Sequence, residues 1–97
     1  MGVKFNREYK DIINDMVYSI GSIADCHECF EMSRVDWDSL DGNERTECIR
    51  TLADDIFYGL GSSPRLAIGS GKVEYDPDHH LIKVYPDPKI VHVIKLI

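Results

Sequence analysis

From Phe5 to Met32 the apolar residues Tyr9, Ile12, Ile13, Met16, Val17, Ile20, Ile23, Ala24 and Phe30 recur at steps of three and four. That is the period of a helix with one buried face. At about 100° per residue these side chains share one arc, while Glu8, Asp11, Asp15, Tyr18, Ser22 and Asp25 share another. The pattern predicts an amphipathic helix over residues 5–32 with the second arc in solvent. Ser33 to Leu40 interrupts it, and Trp37 and Leu40 are expected to clip this linker onto the helices. Asp41 followed by Glu44 forms a capping box, because the Asp41 oxygen can accept from free N–H groups while Glu44 reaches back. A second helix over 41–60 follows. Its core arc is Cys48, Ile49, Leu52, Ala53, Ile56, Phe57 and Leu60, and its polar arc is Glu44, Glu47, Thr51, Asp54, Asp55 and Tyr58.

After Gly59, Gly61, Ser62, Ser63 and Pro64, which suit a helix end, the period changes to two over residues 65–97. Leu66 to Ile68 and Lys72 to Tyr75 read as one strand bent at Gly69-Ser70-Gly71, Leu81 to Tyr85 as the next, and Lys89 to Ile97 as the last. Asp76-Pro77-Asp78-His79 suits a tight turn and Pro86-Asp87-Pro88 makes the other connection. The predicted fold is therefore α+β, a single domain over 1–97: a two-helix antiparallel hairpin followed by a three- to four-stranded, mainly antiparallel sheet. The last strand is apolar on both faces, with Ile90, Ile94 and Leu96 on one and Val91, Val93 and Ile97 on the other. Such a strand calls for cover on both sides, either from a central position in the fold or from a second copy of the chain in a homodimer.

With 97 residues, 43% of them hydrophobic, the chain can build one core and not two. The formal charge of −6 is uneven: residues 1–62 carry thirteen acidic and six basic side chains, residues 63–97 four and five. An acidic domain is repelled by phosphate backbones and anionic lipid, so neither direct nucleic-acid nor membrane binding is expected, and a basic protein is the natural partner. Three cysteines and a charged start at Met1 to Lys10 argue against secretion and place the protein in the cytoplasm. The apolar stretch Ile90 to Ile97 is far short of the roughly 20 residues a membrane span requires. The Met1-Gly2 start lacks a myristoylation signal, with Asn6 where Ser or Thr would stand.

Four clusters invite a chemical reading. Cys26 and Cys29, three apart, could share a zinc ion with Cys48 if the helices pair, with His79, His80 or His92 as fourth ligand; the helical wheel puts both cysteines on the polar side and His27 in the core arc. This gives a zinc-stabilised structural domain as the alternative to a binding module, against the plainer reading of incidental reduced cysteines. A thioredoxin-like role is weaker, because the pair lies near a helix C-terminus, where the dipole disfavours thiolate. Gly69-Ser70-Gly71-Lys72 lacks the glycine a phosphate loop needs at position 66, occupied by Leu66, and lacks a following helix. Asp76, Asp78, His79 and His80 could hold a metal or support acid–base chemistry, yet turn chemistry alone accounts for them. No constellation specifies an enzyme, a catalytic residue or a cofactor.

The acidic arcs remain. A charged helix face is ordinarily just solvated, but here few basic residues interrupt the carboxylates, and Tyr18 and Tyr58 add the amphipathic area common at interfaces. If the helices pack antiparallel, the two arcs are expected to merge into one negative surface. Taken whole, this acidic, motif-poor helix–helix–sheet chain resembles the small accessory proteins of Bacillus temperate phages and prophages. The resemblance is one of layout from Met1 to Ile97 and implies a protein that binds and inhibits or redirects a host nuclease, toxin or nucleic-acid-binding regulator. Asp11, Asp15, Tyr18, Asp25, Glu47, Asp54 and Tyr58 are the residues expected to meet it.

Overall fold

The first helical period is cut short at Gly21. In a computed structural model, which describes residues 3–97, the stretch expected as one helix becomes α1 (Tyr9–Gly21), a 3₁₀ helix (Cys26–Phe30) and α2 (Arg34–Ser39). Gly21 and Ser22 end α1, and the Ser22 hydroxyl donates to the Ser19 carbonyl at 2.6 Å in place of another turn. The chain then bends so that Ile23 and Cys26 still reach the core, at 1% and 3% exposure. Because the 3₁₀ helix has about three residues per turn, Cys26 goes inward, whereas continuing the helical wheel would have placed it outside. Glu31, at φ 56°, closes this segment in the left-handed region.

Residues expected as a linker form α2, capped by the Ser33 hydroxyl, which accepts from Asp36 N at 3.1 Å. Trp37 does clip it down: it is buried, and its ring stacks on Phe30 with centroids 5.5 Å apart. The Arg45 guanidinium holds the end of this helix by donating to the carbonyls of Trp37, Asp38 and Leu40. The capping box then starts α3 (Gly42–Gly59), with Asp41 Oδ1 accepting from Glu44 N at 2.8 Å and Glu44 Oε1 accepting from Asp41 N at 3.1 Å.

Helix α3 runs antiparallel to α1. Tyr9 near the start of α1 donates to Asp54 at 2.7 Å, Arg50 reaches Asn14 at 3.0 Å, and Ile49 lies against Gly21. Ile49, Ala53, Ile56, Phe57 and Leu60 are buried as the period requires, while Cys48 and Leu52 stay half-buried at the margin. Phe5, Tyr9 and Phe57 meet edge to face or tilted, closing one end of the pair.

Four strands follow in a meander, β1 (Arg65–Ile68), β2 (Gly71–Asp76), β3 (Leu81–Asp87) and β4 (Ile90–Lys95), paired antiparallel in that order. The expected bend at Gly69-Ser70-Gly71 is a full reversal, so one bent strand is two. Gly69 at φ 56° supplies the left-handed residue of this two-residue turn. The Asp76 to His80 segment is a turn, as its composition predicts, and the β3–β4 pairing shifts register between Val84 and Asp87, around Pro86, which has no N–H to give a ladder.

Helix α1 lies across β3 and β4. Its Ile12, Met16 and Ile20, all at 0% exposure, share one core with Val73, Ile82 and Val84, also at 0%. β4 is not central: it forms one edge of the sheet, with Ile94 and Leu96 buried and Ile90, Val91, Val93 and Ile97 exposed. Among the described residues no helix is long and apolar enough to cross a membrane; the Met1-Gly2 start lies outside them.

Candidate protein-interaction surface

Seven side chains were expected to line one face, and the structure divides them. Asp11 and Glu47 are exposed and make no side-chain hydrogen bond or ion pair among the described residues. Tyr18 and Tyr58 stand out at 77% and 75% exposure. These four point outward, as the helical wheel predicts.

The other three are engaged within the fold. Asp15 pairs with the Arg7 guanidinium at 2.9 Å, partly exposed on both sides. Half-buried Asp54 accepts the Tyr9 hydroxyl, and the Tyr9 pKa is driven well above its ordinary value by burial first and by the Asp54 hydrogen bond and charge after it. Asp25 departs furthest from expectation, because it lies beyond the end of α1. Both of its oxygens accept from Ser70 N, at 2.9 and 3.0 Å, and one also accepts from Ser70 Oγ at 3.0 Å. Those bonds, the backbone one foremost, hold its carboxyl below the usual carboxylate range. Asp25 is a clamp on the β1–β2 turn, and its place in a binding face is withdrawn.

Nor do the two acidic arcs merge. In the antiparallel pair Tyr18 lies near Thr46 and Tyr9 meets Asp54; between them the Arg50–Asn14 bond crosses the seam, with Asp11 and Tyr18 on the α1 side and Glu47 and Tyr58 on the α3 side. Val17, Gly21 and Ile49 floor an open groove there, with Tyr18 on its rim. The surface is therefore two acidic, tyrosine-bearing patches separated by a cation. About one heptad, roughly 10 Å of helix, lies between Asp11 and Tyr18. Arg50 was missed because at a core margin a long cation can bury its stem and keep its head in water. Arg7 carried no local signal, since it precedes α1 and reaches Asp15 from a segment whose backbone is bound to Leu96.

The chemical clusters resolve toward their plain readings. No group of three or more histidine, cysteine, aspartate or glutamate side chains among the described residues is placed to hold a metal ion, so Cys26, Cys29 and Cys48 are not gathered as the alternative zinc reading requires. All three are free thiols: Cys26 is buried, which raises its pKa, Cys29 is exposed and Cys48 half-buried. His27 is buried as expected, but its Nδ1 has no hydrogen-bond partner among the described residues. At the β2–β3 turn, Asp76 accepts from His79 N at 3.2 Å and lies 2.8 Å from His79 Nδ1, which lowers its pKa; this is turn closure, with Lys83 adding charge at 3.6 Å.

No family model, curated protein or solved structure matches this chain.

Proposed function

We propose that the protein is a non-enzymatic binding module whose helical layer docks onto a basic protein and inhibits or redirects it. The observation that carries this reading is the presence of solvent-exposed phenols and unpaired carboxylates on helix faces that have no use for them in folding: Asp11 and Tyr18 on α1, Glu47 and Tyr58 on α3. Tyrosine contributes a large rigid contact area at small entropic cost, and carboxylates steer a cationic partner during encounter. A nuclease, a toxin or a nucleic-acid-binding regulator, each of which must present positive charge to phosphate, supplies such a surface. The patch spacing favours a partner with two basic sites flanking a neutral or acidic centre, since Arg50 occupies the seam.

The test reverses charge where folding is indifferent. Asp11→Lys with Glu47→Lys, positions without internal partners, is expected to leave unfolding free energy within about 0.5 kcal/mol per site and to slow association with a basic partner retained from cell lysate. Tyr58→Ala is expected to speed its dissociation. The wild-type association rate should fall steeply with added salt and that of the double variant much less. Undiminished capture by the double variant, with unaltered salt dependence, would remove the assignment.

A further inference from the structure

The sheet ends at β4, and the pairing register shows which of its backbone groups are spent. Leu96 N donates to the His80 carbonyl at 3.0 Å, and His92 and Ile94 stand opposite Val84 and Ile82, so the even-numbered residues face β3. Backbone groups alternate along a strand, and Val91, Val93 and Lys95 therefore turn their N–H and C=O outward. The Lys95 carbonyl is taken: Arg7 Nη1 donates to it at 2.9 Å while also holding Asp15. At the other end Lys89 N is bound to Asp87 Oδ1 at 2.7 Å in the β3–β4 turn. What stays open is a short window, Val91 to Val93, to which no further main-chain bond runs among the described residues. Its two valines are 48% and 51% exposed.

We infer that this window pairs with the same window of a second copy, antiparallel about a two-fold axis at His92, so that two four-stranded sheets become one. Three features select this occupant and this register. Antiparallel strands exchange bonds only between residues that both point at the partner, so the odd-numbered residues must meet. Pairing Val91 with Val93 of the other copy, in both directions, uses every free group in the window; sliding by one pair in either direction would instead require Lys95, capped by Arg7, or Lys89, bound to Asp87. The valines then meet across the axis on the outer face, covering the apolar surface that each copy leaves open.

The third feature is the helix above the edge. Because α1 lies across β3 and β4, adding a strand at about 4.8 Å brings the two α1 helices to about 10 Å apart, the spacing of packed helices. A foreign extended peptide could form only the few bonds of a three-residue window. A second copy brings its own helix to the right height. The α1 flank that would be covered carries Asp15, Ser19 and Ser22, with Ser22 Oγ 3.5 Å from His92 Nε2. Tyr18, edge-on to His92 at 6.2 Å between centroids, borders both this interface and the proposed partner face. The inference does not depend on that face, and its variants avoid Tyr18 so that the two readings fail separately.

Val93→Pro is the decisive substitution. Its lost N–H points away from β3, so the internal ladder keeps its bonds, while the ring removes a donor from the new pairing and blocks approach. Sedimentation equilibrium of the wild-type chain should give twice the 11.1 kDa of one copy, and Val93→Pro the single mass with an unchanged circular dichroism spectrum. Val93→Lys, which alters no backbone torsion, is expected to do the same and decides the matter should the proline variant fail to fold. In a Cys29→Ser background His92→Cys should form an intermolecular disulfide on mild oxidation, because residues facing each other across the axis lie about 4.5 Å apart at Cα; Lys95→Cys should not. A wild-type chain of single mass up to about 1 mM, or a dimer that survives both Val93 substitutions, overturns the proposal.

Discussion

The outer face of the sheet and the outer faces of the helices handle charge in opposite ways. On the sheet, Glu74 lies 3.0 Å from Lys72 and 3.9 Å from Arg65 across the β1–β2 ladder, and Asp76 is flanked by His79 and Lys83. A strand residue has neighbours beside it on adjoining strands and along its own strand, so opposite charges find each other easily. A helix residue depends on positions three and four away. On α1 the residue four after Asp11 is Asp15, and on α3 Arg50, three after Glu47 and four before Asp54, bonds to Asn14 across the helix pair instead. Apart from Arg7–Asp15, helical carboxylates are left without cationic partners in the ion pairs of the described residues. Carboxylates on the sheet are paired with cations where those of the helical layer mostly are not.

That contrast concerns surfaces only; beneath them the two layers share a core, and breaking it should fell both. Ile20, at 0% exposure, sits on the side of α1 that packs on the sheet. Ile20→Ala is expected to cost about 2–5 kcal/mol from lost burial and the cavity left behind. Urea unfolding followed by far-UV circular dichroism and by the fluorescence of Trp37, the single tryptophan, should shift together. Separate transitions would mean that the α2 segment, where Trp37 stacks on Phe30, unfolds apart from the rest.

A smaller effect tests the joint between the layers. A Cβ on Gly71 would stand 2.7 Å from the Tyr85 carbonyl oxygen on β3 and 3.0 Å from Ile23 Cδ1, beyond the end of α1. Backbone cannot give way as a side chain can, so Gly71→Ala is expected to cost about 1–3 kcal/mol by overpacking, read as a lowered urea midpoint with unchanged slope. A neutral outcome would show that the segment after α1 adjusts freely against the sheet.

Periodicity made the architecture legible: α3, its capping box and core face, the antiparallel helix pair and the run of short strands all follow from local spacing and end signals. The end of α1 was not, because Ile23, Ala24 and Phe30 happen to continue the three-and-four rhythm past Gly21, and a 3₁₀ helix buries residues on a similar rhythm. Whether β4 was central or an edge depended on strand order, which its two-sided apolar pattern does not encode. Of the surface, the exposed positions Asp11, Tyr18, Glu47 and Tyr58 were readable from the wheel. The engagement of Asp25 was not, since its partner Ser70 lies 45 residues away and nothing local to Asp25 distinguishes it from a solvated carboxylate.

Asp25 is also where the two charge regimes meet: a carboxylate from the helical half used in the manner of the sheet, for an internal bond. Its smallest and most specific consequence is in acid. The Ser70 bonds hold its folded-state pKa below the ordinary 3.8, so near that pH the folded chain binds fewer protons than the unfolded one. Its contribution to stability is therefore complete above that value and is lost as pH falls through the folded-state pKa. Asp25→Asn, which keeps one accepting oxygen but cannot titrate, should flatten the fall in stability as pH drops below about 4, measured by urea midpoints across the acid limb. Asp76, lowered chiefly by its His79 hydrogen bond, contributes with the same sign, so the limb is reduced and not abolished. An unchanged acid limb in Asp25→Asn would mean that the clamp on the β1–β2 turn is open in solution, and would return this carboxylate to the exposed set from which the structure removes it.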